Sequence, residues 1–375
     1  MNFEEHAGKS LVLAPAGITV PRGQLCRTAN EAAQAVRAIG PAVIKAQVAA
    51  GKRGKAGGIK PANTPEEAER VAAAILGMRI GDYKVERLLV EEQGKIAREL
   101  YAAVLNDVEA RKPLVLFSTQ GGMDIEEVAA QSPDAIRRQH VDLDAKPTAA
   151  GFEEMLAGLD LGDVQASVAS VLSRLYGAYR ERDAELIEIN PLAQLADGGV
   201  VALDCKFVLD DAAAYRQEEI VKLAAPAAMT ELERRAAQNG LKFIQLEGNV
   251  GVLANGAGLT MTTMDVIRHF GGKPANFLEI GGEAYTKSAV ALDLVLSNPG
   301  VKSLVINFCG AFARTDVMAD GVVKAWQEIK PTLPVFFSIH GTGEDEAVAL
   351  VRARLGIEPY DLMEDAIQAA VRAAQ

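Results

Sequence analysis

The chain has 375 residues, 49% apolar and 24% charged, with 39 basic and 50 acidic side chains giving a net charge of −11. That length suits two domains, the composition excludes a disordered or fibrous chain, and the negative charge argues against nucleic acid or an anionic membrane as partner. Three scattered cysteines, Cys26, Cys205 and Cys309, exclude a disulfide framework and zinc-type spacing.

The amino terminus opens with Glu4 and Glu5, and its apolar stretch at residues 11–20 is interrupted by Pro15. No signal peptide is expected, no run approaches the roughly 18 apolar residues of a membrane span, and a cytoplasmic location follows. Gly8-Lys9-Ser10 resembles the end of a P-loop, but Phe3 stands where the first glycine belongs and no strand precedes it, so the match is chance.

Helix-like and strand-like stretches then alternate, the pattern of an α/β protein. Residues 28–39 predict a helix ended by Gly40, and residues 42–48 a strand with Lys45 inside it. Gly51-Lys52-Arg53-Gly54-Lys55-Ala56-Gly57-Gly58 packs three cations and four glycines into eight residues, a composition that suits a phosphate. A lysine in an apolar strand is costly to bury without an anion, so Lys45 beside such a loop points to a nucleotide phosphate. Thr64-Pro65-Glu66-Glu67 combines an N-cap, a proline at the first helical position and a capping-box glutamate, opening a helix to Leu76.

Strands are expected at 85–91, 99–105 and 114–119, a long helix at 162–182, and strands at 185–189 and 200–204. In Glu185-Leu186-Ile187-Glu188-Ile189-Asn190-Pro191, alternation puts Glu188 and Asn190 on one face, and Asp204 and Lys206 share a face of the next strand. If the two pair, their oxygens suit Mg²⁺ beside phosphate. A structural salt bridge to Lys206 explains any one pair but not the set.

A polar helical stretch at 218–238 leads into a second block, and the domains are placed at 1–238 and 239–375. Strands at 250–254, 275–280, 304–307 and 335–339 each end in a glycine turn: Asn255-Gly256-Ala257-Gly258, Gly281-Gly282, Gly310 and Gly341-Thr342-Gly343. In a parallel sheet these turns share the carboxyl edge, where open α/β sheets bind ligands.

Val43-Ile44-Lys45-Ala46-Gln47-Val48, Arg53-Gly54-Lys55-Ala56-Gly57-Gly58, Gly121-Gly122-Met123-Asp124-Ile125-Glu126, Glu188-Ile189-Asn190-Pro191-Leu192, Asn255-Gly256-Ala257-Gly258-Leu259 and Lys273-Pro274-Ala275-Asn276-Phe277-Leu278 together resemble the β subunit of succinyl-CoA synthetase over essentially the full length. The malate–CoA ligase β subunit shares nearly all of them. The resemblance implies an ATP-grasp domain followed by a flavodoxin-like CoA-ligase domain. It implies phosphate binding by Lys45 and the Lys52-Arg53-Gly54 loop, nucleotide contacts at Glu91 and Glu99, and Mg²⁺ ligation by Asn190 and Asp204. Glu188 would face a phosphohistidine, and Asn255 with Ala311, Phe312 and Ala313 would meet a small dicarboxylic acid at a helix N-terminus.

The resemblance further implies ATP/ADP, CoA bound mainly by a partner α subunit that carries the phosphohistidine, and a heterodimer or heterotetramer. His6, His140, His269 and His340 lie in no matching motif. Departures gather at the acid end: Cys309-Gly310-Ala311-Phe312 replaces Phe-Gly-Gly-Ile, Gly281-Gly282-Glu283 replaces Gly-Gly-Gly, and Ser338-Ile339-His340-Gly341-Thr342 replaces Arg-Leu-Glu-Gly-Asn. Cys205 stands where the succinate enzymes have glycine and the malate enzymes alanine. An ADP-forming succinate–CoA ligase is the leading expectation and malate–CoA ligase the next, followed by a self-contained ATP-grasp ligase and a divergent regulatory subunit.

Overall fold

The computed structural model describes residues 1–145, 147–225, 229–280 and 287–375. The chain divides into two compact units, Met1–Ala228 and Met229–Gln375.

The first unit begins with the short helix α1 (Glu5–Gly8), which runs on into one π-helical turn at Lys9–Leu13. There follow β1 (Gly23–Cys26), α2 (Ala29–Ile39), β2 (Ala42–Gln47), β3 (Ile59–Ala62), α3 (Pro65–Ile75), the hairpin β4 (Arg79–Ile80) and β5 (Tyr83–Lys84), and β6 (Arg87–Glu92). Strands β1, β6, β2 and β3 form an antiparallel sheet in that order. Ile44, Ala46, Leu88 and Val90 point into a core shared with Ala32, Val36, Ala68 and Ala72 of the two helices. By alternation Lys45 faces the other way.

The helix starts follow their capping chemistry. Thr28 closes a capping box with Glu31. Thr64 accepts from the Glu67 amide, but the Glu67 side chain reaches past it to the Asn63 N–H at 2.8 Å, so the expected box is displaced by one residue.

The second sheet of this unit contains β7 (Ile96–Asp107), β8 (Lys112–Ser118), β9 (Ile136–His140), β10 (Ala184–Leu195), β11 (Val200–Ala202) and β12 (Lys206–Leu209). The order is β11-β10-β7-β8-β9, with β12 also on β10, all antiparallel. Helices α4 (Ile125–Gln131), α5 (Ala149–Met155), α6 (Gln165–Glu181) and α7 (Glu218–Val221) accompany it. Leu172 and Leu175 of α6 pack on Val104, Val115 and Ile187 in its core. The polar stretch 218–238 is not one helix: α7 stops at Val221 and a separate α8 (Glu231–Gln238) starts at the Thr230 capping box.

In the second unit β13 (Lys242–Gln245), β14 (Val250–Ala254), α9 (Ala257–His269), β15 (Asn276–Glu279), α10 (Ser288–Leu296), β16 (Ser303–Gly310), α11 (Thr315–Ile329), β17 (Val335–Gly341), α12 (Glu344–Leu355) and α13 (Met363–Ala373) follow α8. The sheet order is β13-β15-β14-β16-β17, parallel except for β13. Val252, Ala254 and Ile267 share one core with Ile367 and Ala370 of α13, while Leu253, Leu278 and Ile306 share another with Leu292 and Met318. The sheet is therefore covered on both faces, which explains its near-continuous apolar strands. Strand β13 was not expected: four residues with Ile244 exposed give too little alternation to be seen.

Candidate functional site

Lys45 sits on β2 opposite Leu89 of β6, which places Glu91 diagonally across on the same face. Its ammonium lies 2.7 Å from Glu91 Oε2 and 2.8 Å from Glu5 Oε1, and donates to the Leu203 carbonyl. Lys9 Nζ reaches the same group, at 2.6 Å from Glu5 Oε1, 2.7 Å from both Glu91 oxygens and 2.8 Å from the Leu203 carbonyl. Arg53 completes it: its guanidinium is 2.7 Å from Glu5 Oε2, 2.7 Å from Asp204 Oδ1 and 3.0 Å from the Ala46 carbonyl. Three cations thus meet three carboxylates, and all but Asp204 are buried.

Burial opposes the Lys45 and Glu5 charges, yet both are held. Burial pulls the Lys45 ammonium down, but Glu5, Glu91 and Asp204 outweigh it and leave it above the ordinary lysine range. Burial raises the Glu5 carboxyl, but Lys45, Lys9 and Arg53 bring it well below the usual carboxylate value. The expected nucleotide residue Glu91 is 3% exposed and has both oxygens on lysines.

The loop joining β2 to β3 is compact. Ala56 N–H donates to the Lys52 carbonyl, Gly57 to Gly54, Gly58 to Arg53, and Ala46 to Gly58. A Cβ on Gly58 would lie 2.7 Å from Ile80 Cδ1 and 3.1 Å from Ala46 Cβ, so a side chain at that closing position would make its neighbours shift. Three of the loop amides are thus spent within the loop, and cations rather than a ring of amides are what it presents. Gly54 is exposed, as is Lys52, which adopts φ 60° and reaches Asp124 Oδ2 at 2.9 Å. Hydrogen bonding with Glu126 and then with Lys52 pulls the Asp124 carboxyl down to about 2.

The expected pairing of the Glu188 and Asp204 strands forms, with a break in both at one level. Strand β10 loses register between Ile189 and Leu192 around the cis Asn190–Pro191 bond. Opposite it the chain leaves β11 at Ala202 and re-enters β12 at Lys206, so Asp204 lies between strands rather than in one. Such irregularities re-aim side chains. Asn190 Oδ1 accepts from Gly122 N–H at 2.8 Å and its Nδ2 donates to the Met123 carbonyl at 2.9 Å, so it pins the 121–124 loop. That loop also crosses Glu99, which is exposed: a Cβ on Gly122 would fall 1.8 Å from Glu99 Oε2.

Glu188 faces Lys206 across the β10–β12 pair and accepts from Tyr101 Oη at 3.3 Å on Oε2. Burial pushes its carboxyl above the usual range, with Lys206 and Tyr101 pulling against it. For a divalent cation, the Asp204 carboxylate and the Asn190 amide oxygen are hard oxygen donors. The amide oxygen keeps a second lone pair beyond its bond to Gly122, and Asp204 Oδ1 carries both the Arg53 bond and the Cys205 N–H bond at 2.7 Å, outside which Oδ2 stands. Each oxygen taken singly is of the kind Mg²⁺ prefers.

Two links were not legible in the sequence. Glu5 and Lys9 give only an i,i+4 spacing, and Tyr101 is one aromatic in a strand. The 51–58 loop, Lys45, Glu91 and Asp204 are brought into one group, while Asn190, Glu99 and Lys52 are joined through the 121–124 loop.

In the second unit Asn255 ends β14 and grips β16: its Oδ1 accepts from Cys309 N–H at 2.8 Å and its Nδ2 donates to the Cys309 carbonyl at 2.9 Å. The turn with Ala311, Phe312 and Ala313 leads into α11, and Phe312 is fully exposed. Thr342 Oγ1 donates to the Ala311 carbonyl at 3.0 Å, tying the turn to the end of β17. Register pairs Cys309 with His340, and His340 Nδ1 lies 3.5 Å from Glu344 Oε1. Glu344 also accepts from Gly341 N–H at 2.8 Å, so this acid serves the turn. The Gly281-Gly282-Glu283 substitution lies outside the described residues. The four glycine turns were expected at one edge; the three described ones follow parallel strands and share it.

Residues 2–194 match the ATP-grasp domain model and residues 253–371 the CoA-ligase model. The chain is 42% identical to the succinate–CoA ligase [ADP-forming] subunit β of Halorubrum lacusprofundi, covering 100% of this chain and 99% of that one. It is likewise 42% identical to the succinate–CoA ligase [GDP-forming] subunit β of Thermus thermophilus, covering 94% of each. Among solved structures it is similar in fold to the ATP citrate lyase of Methanothrix soehngenii in complex with citrate and coenzyme A, with a TM-score of 0.75, 23% identity and 99% of each chain covered.

Proposed function

The chain belongs to the succinate–CoA ligase β-subunit family, an ATP-grasp domain followed by a CoA-ligase domain, and from that premise we propose that it is the nucleotide- and acid-binding subunit of an ADP-forming succinate–CoA ligase. A partner α subunit supplies the histidine that carries phosphate and the main CoA site, in a heterodimer or heterotetramer. The enzyme works in the cytoplasm.

In this reading the γ-phosphoryl group of ATP passes to the partner's histidine and then to the carboxylate of succinate, and the CoA thiol displaces phosphate from the acyl phosphate. Lys45 and Arg53 neutralise the nucleotide phosphates, with Lys52 and Gly54 at the loop tip. Glu99 contacts the nucleoside, and Glu91 serves the same pocket from behind Lys45. Asn190 and Asp204 would hold Mg²⁺, which supplies charge neutralisation between phosphates. Glu188 accepts the imidazole N–H, so that the opposite nitrogen faces phosphorus. Asn255 and the turn at Ala311, Phe312 and Ala313 hold the acid at the start of α11. Chemistry of this kind is mostly positioning and electrostatics.

The observation that carries the proposal is the convergence of Lys45 from β2, Arg53 from the β2–β3 loop and Asp204 from the link between β11 and β12 on one charge group. The test is co-expression with the α-type subunit and an acyl-CoA assay at constant ATP, Mg²⁺ and CoA. Succinate, malate, citrate and itaconate are compared. Succinyl-CoA with matching ADP release is expected. ADP release without the partner would point to a self-contained ligase. A phosphorylated histidine with no acyl-CoA from any acid would point to a regulatory subunit, and a clear preference for malate would transfer the assignment to malate–CoA ligase.

A further inference from the structure

Lys9 is a buried cation to which the nucleotide chemistry above gives no task. Its ammonium and that of Lys45 bear on the same three oxygens: Glu5 Oε1, Glu91 Oε2 and the Leu203 carbonyl. An ammonium has three N–H donors. Lys45 spends two of them on Glu5 Oε1 and the Leu203 carbonyl and is ion-paired with Glu91 Oε2. Turning it to a phosphate draws it away from these oxygens, and a buried carboxylate stripped of its cation is strongly destabilising. The two lysines are not equivalent in exposure: the Lys45 side chain is 10% exposed and the Lys9 side chain 4%. Lys45 is therefore the one that can turn outward, and Lys9 the one that stays.

We propose that Lys9 is a positioning residue that holds Glu5, Glu91 and the Leu203 carbonyl in place of Lys45 when Lys45 turns to the nucleotide phosphate. This rests on the nucleotide reading of the Lys45 site. The charges support it. Glu5 and Glu91 carry two negative charges against the two lysines, while Arg53 covers Glu5 Oε2 and Asp204. With Lys9 present, lending Lys45 to phosphate leaves every one of the three shared oxygens with a cation at 2.6–2.8 Å. Without Lys9, the same movement leaves Glu91 with no cation.

The experiment is calorimetric titration of the full chain with MgATP and, separately, with adenosine, for Lys9→Met, Lys45→Met and the double variant. Lys9→Met is expected to weaken MgATP at least tenfold and to leave adenosine within about threefold of wild type, because only the phosphates meet Lys45. The double variant is expected to bind MgATP no worse than Lys45→Met alone, since Lys9 acts through Lys45. Should Lys9→Met not fold, Lys9→Gln keeps an N–H donor without the charge and carries the same expectation. Equal loss for MgATP and adenosine, an unchanged MgATP affinity, or additive losses in the double variant would each overturn the role of Lys9. MgATP binding indifferent to Lys45→Met would instead overturn the nucleotide reading, and this inference with it.

Discussion

Cys205 fits its buried position because residue 8 has no side chain. A Cβ on Gly8 would stand 2.7 Å from Cys205 Sγ and 3.3 Å from Cys205 Cβ, in a helix where glycine otherwise costs stability. Gly8→Ala should therefore destabilise the protein by about 1–3 kcal/mol through overpacking. Cys205→Gly should relieve that loss, and thermal melts of the two single variants and the double variant read the coupling. At Glu188, burial that raises the carboxyl makes its charged form costly in the fold. The stability this raised value contributes is full below the ordinary carboxylate range and is lost as pH rises through the folded value. Glu188→Gln should accordingly be no less stable than wild type near pH 7 while losing a hundredfold or more of phosphoryl transfer to the partner histidine. ATP affinity should stay intact, and a loss of ATP affinity with intact transfer would remove the assigned role. Lys45 was legible because a charge inside an apolar strand is conspicuous. Glu5 and Lys9 were not, since a single i,i+4 pair also marks any solvated helix face.

The element that joins the two halves of the proposed nucleotide site is the 121–124 loop, held by Asn190 on one side and Lys52 on the other. Gly122 has φ 72° and no room for a Cβ beside Glu99. Gly122→Ala should push the loop off Glu99 and Asn190, weakening MgATP by roughly tenfold while moving the melting temperature little, because the loop contributes no core residue. An unchanged MgATP affinity would separate the loop from the site. The hairpin of β10 with β11 and β12 was readable from alternating polar residues. Its paired irregularity was not, since a break in register depends on what the partner strand does.

Across the first unit, the buried charge group should set the response to acid. Glu5 has a folded value well below its ordinary 4.5. Its contribution is therefore present above the ordinary carboxylate value and drains as pH falls through the folded one. Glu5→Gln should cost about 3–5 kcal/mol near neutrality, and its deficit against wild type should shrink on acidification from about pH 5 to pH 3, as melting temperatures across that range would show. A constant deficit would mean that the Glu5 charge contributes nothing. Each unit holds its own apolar cores, so Met1–Ala228 expressed alone should fold cooperatively and bind MgATP within a few-fold of the full chain. Failure to bind would place essential nucleotide contacts beyond residue 228.

The sequence by itself determined the α/β alternation, the capped helix starts at Thr28 and Thr64, the parallel strands of the second unit and the polar residues that break apolar periodicity: Lys45, Glu188, Asn190 and Asp204. These are local signals, carried by spacing of two or 3.6 residues and by caps within four positions. Tertiary structure alone decided that Glu5 and Lys9, 36 or more residues from Lys45 and Glu91, join them in one charge group. It also decided that Gly8 makes room for Cys205, and that Asn190 spends its amide on the 121–124 loop. Contacts between distant segments leave no period in the chain. They appear only once the sheets have fixed which faces meet, because burying a charge or filling a cavity is settled by neighbours in space.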